Sequence, residues 1–103
     1  MGKSSREKLH NKLLDIVENV YFQPPANIRL TYPCIIYRRA NTDITYAGDA
    51  VYRATPEYQV TVVEKDADTP LSTEVLHSFR MITQRSSYVT DGLYHSQFTL
   101  YYY

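Results

Sequence analysis

Leu9, Leu13, Ile16, Val17 and Val20 recur at helical spacing, and Ser4 followed by Glu7 has the form of a capping box ahead of them. The pattern predicts one amphipathic helix over roughly residues 5–21. Pro24-Pro25 is expected to end it, because proline has no amide hydrogen and disfavours helical geometry in the residue before it. Residues 28–39 then turn β-branched and aromatic (Ile28, Leu30, Tyr32, Ile35, Ile36, Tyr37), which predicts a strand. Pro33 inside that run cannot donate to a ladder, so the strand is expected at an edge or bent at Pro33.

Residues 41–55 are largely polar, with two tyrosines, Tyr46 and Tyr52, around Gly48-Asp49 as the turn of a hairpin or ordered loop that adds little to a core. Tyr58, Val60 and Val62 alternate with Gln59 and Thr61, the mark of a half-buried strand, which ends in the charged run Glu64-Lys65-Asp66-Ala67-Asp68. Thr69 as N-cap with Pro70 at the first helical position, or Asp68 as the cap instead, opens a second helix whose apolar stripe is Leu71, Val75, Phe79 and Ile82. Residues 85–91 and 94–103 predict two strands around Asp91-Gly92-Leu93, with Ser96, Phe98, Leu100 and Tyr102 on one face and Gln97, Thr99 and Tyr101 on the other. Two helices on one face of a mostly antiparallel sheet make a two-layer α+β domain, and the other face is left to meet a partner. Residues 1–103 are too few for more than one domain with one modest core.

Composition sharpens this in one respect. Eleven of the 103 residues are tyrosine, and three of them close the chain as Tyr101-Tyr102-Tyr103. A large ring with low rotamer cost and a water-tolerant hydroxyl suits contact surfaces, although ordinary half-buried strand positions account for some of the eleven. Eleven basic and eleven acidic residues cancel, which disfavours a dedicated DNA binder and leaves no field to draw the chain to an anionic membrane. No apolar run approaches the roughly 20 residues of a membrane span, and the polar N-terminus lacks the apolar stretch of a signal peptide. Cys34 is the lone cysteine, so an internal disulfide and a paired-cysteine zinc site are excluded, and synthesis in a reducing cytoplasm is expected.

Catalytic equipment is sparse, and no catalytic residue, metal ligand or cofactor is expected. With glycine only at 2, 48 and 92 there is no phosphate loop, and His10, His77 and His95 are scattered, so each reads as solvated or structural. Cys34 sits between Pro33 and Ile35 with no charged residue or histidine beside it in sequence, and reads as buried and inert. Glu64, Asp66 and Asp68 lack the bend glycine and distal glutamate of a calcium loop. Arg38-Arg39, with Arg29 and Arg53 and the interleaved Tyr32, Tyr37 and Tyr52, suits either intersubunit salt bridges or stacking on single-stranded nucleic acid, and the neutral net charge favours the first.

Three stretches taken together carry a resemblance: Leu30-Thr31-Tyr32-Pro33-Cys34-Ile35-Ile36-Tyr37, Tyr58-Gln59-Val60-Thr61-Val62-Val63-Glu64-Lys65-Asp66 and His95-Ser96-Gln97-Phe98-Thr99-Leu100-Tyr101-Tyr102. Their order and spacing resemble the small tail terminator (tail completion) proteins of long-tailed bacteriophages, over most of residues 5–103. That resemblance implies a non-enzymatic virion protein of the tail and neck, made in the host cytoplasm. It implies a homo-oligomeric ring, commonly a hexamer, that seats on the tail tube protein, stops tube growth and offers a surface to the head connector or another neck protein. DNA would pass through the lumen without specific binding, and Glu64, Asp66 and Asp68 are candidates for its wall. Interface candidates are Tyr46, Tyr52 and Arg53 on the 41–55 arm, Arg38 and Arg39 at a strand edge, and Tyr101 and Tyr103 on the final strand. The competing readings are another head-tail joining protein and a single-stranded nucleic-acid-binding module.

Overall fold

Ser4 starts the first helix as its pattern predicts. Its Oγ accepts the Glu7 amide at 3.2 Å, and its hydroxyl donates to the Glu7 carboxylate at 3.2 Å. The computed structural model describes residues 4–47, 50–66 and 70–102, with the side chains of 41–47 and 50–55 outside that description. Helix α1 covers Ser5–Leu14 and is followed by strands β1 (Val20–Phe22), β2 (Cys34–Ala47) and β3 (Ala50–Glu64), helix α2 (Leu71–Ser78), and strands β4 (Ile82–Thr90) and β5 (Leu93–Tyr101). The strands form one sheet in the order β1-β2-β3-β5-β4, antiparallel except for the β1–β2 pair. This is the expected α+β architecture.

Register assigns the faces. Val60 pairs with Tyr37 on one side and Phe98 on the other, and Tyr58 pairs with Leu100. With Ile35 and Val62 these residues are buried, and Leu9 and Leu13 of α1 and Leu71 and Val75 of α2 join them in one core. Both helices therefore cover the same face. Cys34 and Val63, partners on the opposite face, are also buried.

Three predicted elements are corrected. The first helix ends at Leu14, ten residues ahead of Pro24, where the amides of Ile16 and Val17 both turn back to the Leu13 carbonyl. Ile16, Val17 and Val20 still pack against the core, but Val20 does so together with Phe22 from a strand, Val20–Phe22, that lies beside Ile35, Ile36 and Tyr37. Their β-branched and aromatic side chains suit that pairing. The second correction concerns the predicted strand at 28–39. It begins only at Cys34, after the cis Tyr32-Pro33 peptide, and lies second from the edge because β1 flanks it. Residues 23–33 form the crossover that a parallel pair requires. The Tyr21 hydroxyl accepts the Thr31 amide at 3.1 Å, which holds this connection on the face away from the helices. In the third case, α2 begins at Leu71 with Pro70 at the N-cap and ends at Ser78 with Phe79 as its C-cap, while Ile82 belongs to β4. Thr69 and Asp68, the expected caps, lie outside the described residues.

The β4–β5 hairpin turns at Asp91 and Gly92, whose φ angles are 53° and 74°. A two-residue turn with positive φ at both positions matches the right-handed twist of its strands, and Asp-Gly is a favoured pair for it. The β2–β3 hairpin is much longer, with 14 and 15 residues in its strands. Its predicted turn at Gly48-Asp49 lies outside the described residues.

Candidate functional site

The β2–β3 hairpin outruns the sheet that carries it. β1 pairs only with Ile35, Ile36 and Tyr37 of β2, and β5 pairs only with Glu57 to Glu64 of β3. Beyond those positions the two strands continue against each other alone, through Thr42–Pro56, Asp43–Thr55, Ile44–Ala54, Thr45–Arg53, Tyr46–Val51 and Ala47–Ala50 pairs. Residues 40–47 and 50–56 thus make a two-stranded arm, about 25 Å long at roughly 3.3 Å per residue. The molecule is correspondingly elongated, at 50 × 29 × 25 Å.

At the arm's base the helix-free face of the sheet carries polar side chains in register: Arg38 beside Gln59 and Thr99, and Thr61 beside Gln97. Arg38 donates to the Gln59 amide oxygen, Arg85 Nε to Thr99 Oγ1 at 2.9 Å, and Ser86 Oγ to Gln97 Oε1 at 2.8 Å. These groups line a broad open trough of about 940 Å³, in which Glu57 is the one carboxylate among the lining residues. Such a surface, with Arg38, Arg39 and Arg85 among its lining residues, offers fixed donors and acceptors for protein-protein contact. Further along the same face, Tyr88 stacks on His95 with ring centroids 4.7 Å apart.

The predicted interface residues do not form one patch. Arg38 lies on the trough. Arg39, its neighbour on an alternating strand, is also among the residues that line the trough, but it pairs in register with Tyr58 on the helix-covered side, is exposed, and its amide donates to Gln23 Oε1 at 3.1 Å. Tyr101 shares the trough face through its register partner Glu57 and is half-buried. Tyr46, Tyr52 and Arg53 sit on the arm's strands, with side chains outside the described set, as is the whole of Tyr103. Arg85, Gln59, Gln97 and Thr99 were missed as site residues. The alternation of 58–62 and 96–100 already put Gln59, Gln97 and Thr99 opposite the core, but nothing local marked Arg85 as their neighbour.

Two expectations about charged and aromatic residues are overturned by burial. Tyr37 is fully buried, so its ring cannot stack on a nucleic-acid base; its hydroxyl meets His10 Nδ1 at 2.7 Å and accepts from Arg6 Nη1 at 3.5 Å. Tyr58 is likewise buried, with its hydroxyl 3.3 Å from Ser5 Oγ. Burial pushes the Tyr37 phenol up, and burial followed by the Arg6 charge pushes the His10 imidazole down. Glu64 is 5 % exposed and cannot line a lumen wall; its carboxylate accepts the Ser72 amide at 3.1 Å at the start of α2. Asp66 is exposed, and Asp68 lies outside the described residues.

Burial raises the Cys34 thiol to about 11, which leaves it protonated at neutral pH and a poor nucleophile. Among the described residues no three His, Cys, Asp or Glu side chains gather as metal ligands, and no helix is long and apolar enough to cross a membrane. No protein-family model matches the chain, and no curated protein matches it.

Proposed function

We propose that the protein is a structural virion component, a ring that caps the tail tube of a long-tailed bacteriophage, ends tube polymerisation and offers the surface that joins tail to head. The observation that carries this reading is the two-stranded arm of residues 40–47 and 50–56, which extends past every other described strand. An isolated two-stranded hairpin is at best marginally stable in water, so an arm of this length gains its stability by lying against another chain. Arms that reach from one subunit to a different patch on the next generate rings when the rotation closes. The strand motifs that resemble tail terminators form the base of this arm and the sheet that holds it: Cys34 to Tyr37 on β2, Tyr58 to Glu64 on β3 and His95 to Tyr101 on β5. In this reading the polar trough around Arg38 and Arg85 meets a tube or neck protein, DNA passes through the ring without specific binding, and no catalysis is involved.

The test is the mass of the purified protein in solution across a concentration series, with and without purified tail tubes. A ring, or a ring formed on tubes that halts their growth, supports the proposal. A protein that binds head connectors but not tubes is a different neck component. A persistent monomer that binds neither, yet binds oligonucleotides with strong salt dependence, would move the reading to nucleic acid.

A further inference from the structure

Among the described residues, the strand edges that lack a neighbouring strand include two long ones. One is the outer side of β4, the last strand in the sheet order, which pairs only with β5. From Thr83 to Thr90 every residue of β4 is exposed, and Tyr88 and Val89 are exposed at 44 % and 59 %. Edge strands are normally protected by lysine, proline, a bulge or an inward charge. Here the register shifts once, between Gln84 and Ser86, and the stretch from Ser86 to Thr90 has none of the other devices. A regular edge of that kind is a template for another strand.

The second edge is the β2 side of the arm. Gln23 occupies the start of that side: its amide donates to the Tyr37 carbonyl at 2.9 Å and its side chain accepts the Arg39 amide. From residue 40 to residue 47, no described strand other than β3 pairs with β2. The other side of the arm, on β3, is shorter and ends in Pro56, which has no amide to donate. The β2 side is therefore the better donor strand.

We infer that the arm residues 40–47 of one copy add as a strand along the Ser86–Thr90 stretch of the β4 edge of a second copy. The partner is another copy because β3 and β5 lie between β2 and β4, so an arm cannot reach the edge of its own sheet. Main-chain hydrogen bonds supply the affinity of such strand addition. Each copy then holds one donor arm and one acceptor edge, and the contact relieves the marginal stability of the arm and the exposure of the edge together. The inference rests on the ring reading only in taking a second copy as the occupant.

The experiment mixes full-length Thr45→Cys with full-length Ser87→Cys protein and adds a short bismaleimide cross-linker. Native Cys34 is buried and its thiol stays protonated, so it remains outside the reaction. A product containing one chain of each variant, absent when either is treated alone, is the expected result. A version with residues 41–55 replaced by an Asn-Gly turn should keep a cooperative thermal transition and lose the oligomer mass. If the mixed product is absent while the wild type is an oligomer, arm-to-edge pairing is overturned and the ring stands. If the mixed product forms in an assembly that closes at two copies, the pairing stands and the ring is overturned. An uncross-linked wild-type monomer overturns both.

Discussion

Glu64, the last residue of β3, accepts the backbone amide of Ser72 at 3.1 Å and so caps α2 from a different element. The amides of a helix's first turn lack partners within it, and Pro70 at the N-cap offers no side-chain acceptor. The carboxylate takes that place from across the 65–70 connection. Its neighbour Ser72 donates its hydroxyl to Ser96 on β5 at 3.0 Å, which ties the same helix end to the sheet.

Glu64→Ala should destabilise the fold by about 1 kcal/mol, the usual cost of a lost cap. Burial raises the Glu64 carboxyl, outweighing the lowering by the Ser72 and Leu71 amides. The folded state therefore holds this proton more tightly than the unfolded chain does. The resulting stability is present below the ordinary carboxylate range and is lost as pH rises through the folded value. Glu64→Gln keeps an acceptor without a charge, so it should gain on the wild type in urea denaturation between pH 4 and pH 7. A constant difference across that range would refute the assignment.

His10 titrates with the opposite sign. Its value is lowered in the folded state by burial and then by Arg6, so its contribution is fully present above the ordinary imidazole range and is lost as pH falls through the folded value. Melting curves of His10→Gln against the wild type should converge on the acid side of that range. Tyr37→Phe removes the hydroxyl that meets His10 at 2.7 Å and should cost about 1 kcal/mol.

Gly92→Ala should cost roughly 1–2 kcal/mol through backbone strain, since φ at 92 is +74° and L-residues pay about that to enter the left-handed region. No atom lies within 4 Å of an added Cβ, so sterics with neighbours contribute nothing. Gly92→Asn, which tolerates this conformation, should cost less than Gly92→Ala; equal melting temperatures for the two variants would contradict the turn assignment.

Cys34 should resist a thiol-specific chromogenic reagent at pH 8 in the native protein and react fully in denaturant. It is fully buried and its thiol is raised to about 11. Rapid native modification would mean that the β2–β3 sheet opens locally around Cys34 and Val63.

Much of the fold was legible because it is local. Ser4 and Glu7 are three residues apart, Asp91-Gly92 needs only its own dihedrals, and the alternation of Tyr58, Val60 and Val62 states which face is wet without reference to any partner. The candidate site was less legible. Arg38 was read as an interface residue, but its trough is assembled from β2, β3, β4 and β5, and Arg85 arrives there through a register shift that no periodicity announces. Arg38 and Arg39, adjacent in sequence and expected together at a strand edge, have register partners, Gln59 and Tyr58, that alternate between the two faces.

By itself the sequence determined the two helix starts to within a residue or two, the polarity of the strands and the Asp91-Gly92 hairpin turn, because each follows from side-chain chemistry over a few residues. Tertiary structure alone decided that Val20, Tyr21 and Phe22 form a strand rather than the last turn of a helix. Their apolar spacing satisfies either period, and the choice fell to the ladder offered by Ile35, Ile36 and Tyr37. It also decided that a buried glutamate from β3 caps α2 and that the 40–56 arm stands beyond the sheet, since both depend on where distant strands end.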